Sequence, residues 1–325
     1  MMSKPNVPII AIEEHYWDAE LAKTFQGPEA GRPGDIHTRL YDFDNLRIKE
    51  MDEAGIDIQV LSHAAPGTHR IDGHEAVPLA RRANDRLRDV VHANPSRFAA
   101  FATLPAADPK GAADELERAV TKLDMKGAMV HGLTNGVFID DKRFWPIFER
   151  AQALDVPIYV HPAVPHPAVI DVYYKDYVAD FPGITNAAWG FTVETATQGV
   201  RLVLSGIFEK YPNLKIILGH LGEGLPFLLW RIDAMFKRKP NRAIDFRDTF
   251  CNHFWITTSG NFSDPAMLCC VQEMGVDRIL FAVDWPYVEN RPGTEWMERI
   301  SLSREDKEKI LNGNAKRLLK MREGA

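Results

Sequence analysis

Six stretches of this chain end an apolar run on an acid or an imidazole: Ile12-Glu13-Glu14-His15, Ser62-His63, Val130-His131, Tyr159-Val160-His161, Leu218-Gly219-His220 and Val283-Asp284. Residues two apart in an extended strand share a face, so Glu13 and His15 project together, toward the axis of a barrel if the strands form one, while Glu14 projects away. A neighbouring carboxylate and imidazole ligate a divalent cation or form an ordinary ion pair, and the pair alone does not choose. His161 alone fits a ligand or a hydrogen-bonded core histidine. Asp284 is more pointed. It follows Ile279-Leu280-Phe281-Ala282-Val283, where an ionised carboxylate is costly without a partner. One mononuclear site made of Glu13, His15, His161 and Asp284 accounts for all four. Two carboxylates and two imidazoles suit Zn²⁺ or Mn²⁺, and the donor set does not decide between them.

His220 and Glu223 form a second constellation in Gly219-His220-Leu221-Gly222-Glu223-Gly224. The glycines permit a tight turn. It would aim His220 at the metal pocket with Glu223 beside it as an oriented acid–base pair; the alternative is that Glu223 caps the following helix. Arg231, in Leu228-Leu229-Trp230-Arg231-Ile232, calls for a carboxylate partner: Glu223, another acid or a bound substrate. His63 and His131 line the pocket or sit in the core. Trp285 and Tyr287 flank Asp284 as an aromatic wall or as packing.

Eight short apolar runs carry these residues: Pro8–His15, Ile56–His63, Phe98–Pro105, Lys126–Gly132, Val156–Pro162, Leu214–His220, Phe254–Gly260 and Arg278–Pro286. Each suits a strand buried on both faces. Amphipathic stretches follow them, among them Asp44–Ala54, Pro78–Asn94, Phe191–Lys210 and Arg304–Met321. Asp108-Pro109 and Asp264-Pro265 have the form of an N-cap followed by Pro at the first turn. Eight strand–helix units predict a (β/α)8 (TIM) barrel of the α/β class, with chemistry on the rim where the strands end. No composition break divides residues 1–325, so one domain is expected. Two connections, about 17–43 and 163–189, are long enough to act as lids, binding walls or oligomer contacts.

Composition narrows the function. Hydrophobic residues make up 45% and charged residues 26%, which supports a large core. The net charge of −6 argues against nucleic acid as a partner. No apolar run is long enough to span a membrane, and the N-terminal MMSKPNVPII lacks the features of a signal peptide. Cys251, Cys269 and Cys270 fit neither a disulfide framework nor a zinc knuckle. Reduced thiols in a cytoplasmic protein are expected.

Taken together, the E-E-H of the first strand, Y-V-H-P, G-H-L-G-E-G-L-P, W-R-I-D, T-T-S-G-N-F at Thr257–Phe262, D-W-P, A-R-R-A-N-D at Ala80–Asp85 and the closing N-A-K-R-L-L-K resemble the amidohydrolase-2 branch of the amidohydrolase superfamily. Within it they are most similar to the non-oxidative aromatic acid decarboxylases, typified by γ-resorcylate (2,6-dihydroxybenzoate) and 2,3-dihydroxybenzoate decarboxylase. The resemblance implies one divalent metal on Glu13, His15, His161 and Asp284, no organic cofactor, and an active-site cluster of His220, Glu223 and Arg231. It implies a small aromatic carboxylic acid as substrate and a homodimer or homotetramer. His131, Tyr287 and His63-Ala64-Ala65 depart from the family pattern, so the pocket, and with it the ring substituents accepted, should differ. The expected reaction protonates the ring carbon bearing the carboxylate, with Asp284 as the acid, and releases CO2. The metal cluster equally permits a lactone or amide hydrolase, a hydratase, or a non-catalytic binder.

Overall fold

The computed structural model describes residues 7–26, 30–238 and 244–321. Most of the N-terminal stretch, residues 27–29 of the first long connection and the last four residues lie outside the described residues. The strand segments are β1 (Ile10–Tyr16), β2 (Ile58–His63), β3 (Phe98–Ala100), β4 (Ala102–Thr103), β5 (Ala128–His131), β6 (Ile158–His161), β7 (Ile216–Leu218), β8 (Phe254–Thr257) and β9 (Ile279–Leu280). All neighbouring pairs are parallel. β3 and β4 are two halves of one expected strand, parted at Phe101, whose ring is wholly buried. Across that break, Phe101 N–H bonds Leu61 O and Ala102 N–H bonds Gly127 O, both at 2.9 Å. The seam between the last strand and the first is closed by Ile12 N–H to Phe281 O at 3.2 Å and Asp284 N–H to Glu13 O at 3.1 Å. The result is a (β/α)8 barrel.

Alternation along the strands sorts residues into two cores. Val60, Met129, Tyr159 and Ile217 fill the barrel. Their successors Leu61, Val130, Val160 and Leu218 face the helices. His161, two residues beyond Tyr159, therefore faces the axis at the barrel mouth. β1 breaks the alternation. Its pairing with β2 slips between Ala11 and Glu14, and Ile10 and Ile12 already occupy the interior. Without the slip Glu13 and His15 would face outward; the irregularity turns them in.

Several helices differ from expectation. The helix Gly73–Ala93 starts before Pro78 rather than at it. The stretch 191–210 divides into Gly190–Leu204 and Ile207–Lys210 around Gly206, at φ 82°. The expected helix 304–321 contains a π-turn at Lys309–Gly313. Asp108 caps its helix by accepting from Gly111 N–H at 3.0 Å. Asp264 does not cap; its carboxylate accepts from Trp296 Nε1–H at 2.7 Å instead. The final helix Asn314–Leu319 packs Ala315, Leu318 and Leu319 against the inner core.

Glu14 pins the seam. Its two oxygens accept from Val283 N–H at 2.9 Å and Trp285 N–H at 3.1 Å. Burial pushes its carboxyl up to about 8, against the pull of those two donors. Glu14→Ala leaves both buried N–H groups without an acceptor and should cost about 2–4 kcal/mol in denaturant unfolding, while Glu14→Gln should lose less. An unchanged unfolding midpoint for the alanine variant would show that the seam does not depend on this side chain.

Candidate metal centre and active site

Donor atoms of Glu13, His15, His161 and Asp284 all lie within 4.8 Å of one another. His15 Nε2 is 3.2 Å from Asp284 Oδ1, and His161 Nε2 is 3.4 Å from Glu13 Oε1. Their far sides are anchored. His161 Nδ1 donates to Pro162 O at 2.7 Å, which leaves the Nε2 lone pair facing the quartet. His15 Nδ1 meets Ser62 Oγ at 3.2 Å. Glu13 Oε2 accepts from Tyr159 OH and from Thr257 Oγ1. Gly219 makes room for that carboxylate, since a Cβ there would stand 3.0 Å from Glu13 Oε2. Glu13 Oε1 and His15 Nε2 remain buried without an aligned hydrogen bond. Unpartnered buried donors aimed into one space fit a small cation.

Without a cation the charges strain against one another. Burial pushes the Glu13 carboxyl upward. Burial does the same to Asp284, but the imidazoles of His15 and His220 hold it below the usual carboxylate range. Burial, aided by the charge of His15, keeps His161 neutral, as a metal-ligating imidazole must be.

His220 reaches the site through an unusual turn. His220, Leu221, Gly222, Glu223 and Gly224 all have positive φ, between 51° and 76°. This conformation is costly for the three residues with side chains. It is held by Leu221 N–H to Thr257 O at 2.7 Å and His220 N–H to Ser259 Oγ at 3.0 Å. The turn brings Glu223 Oε1 within 2.6 Å of His220 Nδ1 and leaves His220 Nε2 3.7 Å from Glu13 and 3.9 Å from Asp284. Glu223 does not cap the helix Leu225–Phe236; its second oxygen accepts from Thr192 Oγ1 at 2.8 Å. Burial opposes a charge on His220, but Glu223, Glu13 and Asp284 outweigh it and raise its pKa well above the ordinary value.

A cavity of about 260 Å³ opens above the quartet, lined by His161, His220, Asp284, Tyr287, Arg32, Asn186, Phe191, Val164, Ala65 and Ala187. Both long connections supply wall residues: Arg32 from one, and Val164, Asn186 and Ala187 from the other. An apolar cavity of about 150 Å³ holds benzene, so this one suits a single substituted ring.

The family model for amidohydrolases matches residues 13–321. The chain belongs to the amidohydrolase family. It is 42% identical to the γ-resorcylate decarboxylase of Polaromonas sp. strain JS666, covering 96% of this chain and 98% of that one. A crystal structure of dihydroxybenzoic acid decarboxylase from the same organism, with bound manganese and the inhibitor 2-nitroresorcinol, superposes with a TM-score of 0.88 at 40% identity, over 96% and 97% of the two chains. The 5-carboxyvanillate decarboxylase of Sphingomonas paucimobilis superposes with a TM-score of 0.90 at 32% identity, over 97% and 99%.

Four residues that the sequence offered as candidates for the pocket of this amidohydrolase lie outside the cavity. His63 shares the outward face of β2 with Leu61. Its Nε2 accepts from Asp18 N–H at 3.0 Å and its Nδ1 donates to Ala64 O at 2.8 Å, so it is a core histidine. His131 faces inward but stands behind His161, ring centroids 5.1 Å apart, and lines a neighbouring cavity. Trp285 is buried beneath Arg47, with its N–H on Glu50. Arg231 is exposed on Leu225–Phe236, outside the cavity. Tyr287 does line the cavity, its ring 5.7 Å from that of His15. Arg32, Asn186 and Phe191 carry no motif; only the length of the connections pointed toward the first two.

In the metal-free protein, Glu223→Gln removes the nearest carboxylate from His220. Imidazole NMR titration should then show His220 losing its proton at lower pH than in the wild type. Equal midpoints would mean that Glu223 does not set the charge of His220.

Proposed function

We propose that this amidohydrolase is a metal-dependent, non-oxidative decarboxylase of an ortho-hydroxylated aromatic acid such as γ-resorcylate. The observation that carries the reading is the convergence of four donors, two of them unpartnered, beneath a cavity sized for one ring. The end-to-end similarity to decarboxylases supports it. Glu13, His15, His161 and Asp284 would hold one dication. Manganese is bound in two relatives that act on aromatic acids, and zinc suits the same donors. A bound dication supplies positive charge that orients the acid's carboxylate and ortho oxygen and favours the phenolate.

The chain's own groups handle the proton. With a dication in the quartet repelling its charge, His220, held by Glu223, would be free to take the proton of the ortho hydroxyl. The same imidazolium faces Asp284 and passes it a proton. Asp284 delivers that proton to the ring carbon bearing the carboxylate. The C–C bond electrons then return to the ring as CO2 departs, restoring aromaticity. The ortho oxygen, left as phenolate, regains a proton from solvent, so the sum is one proton consumed and one CO2 released, with no electron acceptor.

We further propose a homodimer or homotetramer. The helix Leu225–Phe236 leaves Phe227 80% and Trp230 73% exposed, an apolar face that suits a second copy and would also cover Arg231. A cytoplasmic setting accords with three free thiols.

Metal-loaded protein incubated under nitrogen with a panel of hydroxybenzoates should release CO2. Chelation should abolish the activity, and Mn²⁺ or Zn²⁺ should restore it. Asp284→Asn should lower kcat by at least about 10²-fold while remaining folded. Lactone opening without CO2 would instead assign a hydrolase, and full turnover by the chelator-treated protein would remove the metal reading.

A further inference from the structure

The motif T-T-S-G-N-F at Thr257–Phe262 leaves β8 beside the quartet, and its first four residues touch the carriers of Glu13, His220 and Asp284. Thr258 Oγ1 donates to Ala282 O at 2.8 Å and accepts from Ala282 N–H at 3.0 Å, gripping the segment that ends in Asp284. Gly260 N–H donates to Val283 O at 3.1 Å. Thr257 Oγ1 lies 3.1 Å from Glu13 Oε2 and 2.9 Å from Tyr159 OH. Ser259 Oγ accepts from His220 N–H at 3.0 Å and lies 2.8 Å from Thr257 Oγ1. Thr257, Ser259 and Tyr159 are all wholly buried.

The hydrogens of these hydroxyls have one direction. Ser259 Oγ takes the His220 N–H, so its own hydrogen goes to Thr257 Oγ1 or to the Glu13 carboxylate beside it. The Thr257 hydrogen reaches Glu13 Oε2 directly or by way of Tyr159 OH, which itself donates to that oxygen. Every route runs from the His220 amide to the Glu13 carboxylate. Buried hydroxyls aligned in this way polarise one another, and a break leaves a neighbour without a partner. Gly219 keeps the room for the chain: a Cβ there would stand 3.0 Å from Glu13 Oε2 and 3.2 Å from Ser259 Oγ. Glu13 Oε1 stays outside it, facing the quartet.

We propose that Thr257 and Ser259 are positioning residues whose hydroxyl chain couples Glu13 to His220, so that filling the quartet steadies the left-handed turn that carries the acid–base pair. This rests on the metal-dependent decarboxylase reading given above. The coupling is reciprocal: a chain that transmits order from the quartet to the turn also makes metal affinity depend on Ser259, which is not one of the four donors.

The test reads Zn²⁺ affinity by competition with a chelating dye, hydrogen exchange of the His220 amide by NMR, and kcat and KM on a hydroxybenzoate. In the wild type, Zn²⁺ should slow exchange of that amide. Thr257→Val keeps the shape without the hydroxyl. It should raise the Zn²⁺ Kd by about 10- to 100-fold and abolish the slowing, although the His220 bond to Ser259 is intact. Ser259→Ala should raise the Kd by about 10-fold and lower kcat by about 10- to 100-fold, with KM little changed. Thr257→Ser keeps the hydroxyl without the methyl and should stay close to the wild type, the opposite of what a packing role requires. If Thr257→Val does not fold, Ser259→Ala and Thr257→Ser decide the matter. Unchanged Kd values in Thr257→Val and Ser259→Ala, or slowing by Zn²⁺ that persists in Thr257→Val, overturn the proposal. The expected changes in affinity and exchange without CO2 from any hydroxybenzoate overturn the decarboxylase reading and uphold the coupling.

Discussion

Burying two carboxylates side by side is the constraint on which the rest of this structure depends. Glu13 is wholly buried at the barrel mouth, and its charge and that of Asp284 oppose each other. Neither can stay ionised in such a place without compensation. Imidazoles supply part of it, through His15 against Asp284 and His220 against Glu13 and Asp284. The geometry that remains, with Glu13 Oε1 and His15 Nε2 making no aligned hydrogen bond, fits a small cation. Much of the surrounding hydrogen bonding keeps these groups aimed inward: Tyr159 and Thr257 on Glu13, Ser62 on His15, and Pro162 on His161.

Backbone irregularity is concentrated where this aim is set. The register slip in β1 turns Glu13 and His15 toward the axis. The left-handed run at 220–224 folds His220 back over the mouth, and Asp284 itself sits at φ 77°. Each costs conformational energy that the regular barrel beneath it offsets. Glu14 lies at the same seam and spends its carboxylate on backbone N–H groups of the last strand segment. Adjacent glutamates thus divide the work, one facing the chemistry and the other holding the barrel shut.

The strands set the reacting groups, and the long connections set what surrounds them. Arg32, Val164, Asn186 and Ala187 reach the cavity from segments outside the barrel. In a (β/α)8 barrel such segments can change without disturbing the rim. Arg32 is linked to His15 through Tyr287.

The sequence by itself determined the barrel, because strand and helix periods are local properties of neighbouring residues. It also singled out Glu13, His15, His161, Asp284, His220 and Glu223, which the fold brings to one rim, because polar residues ending apolar strands stand out against their own segment. Only the tertiary structure decided directions. Parity put Glu13 and His15 on one face, expected toward the axis; the slip in β1 that actually turns that face inward leaves no mark in composition. His63 was read as lining the pocket or sitting in the core; the structure places it with Leu61, facing the helices, where its Nε2 accepts from Asp18 N–H. His131 and Arg231 were legible as residues that needed partners. Whether the pocket lay within their reach depended on the stacking behind His161 and on which face of Leu225–Phe236 met solvent. Arg32 was invisible for the same reason: a contact between residues 32 and 287 depends on a long-range approach that no local pattern encodes.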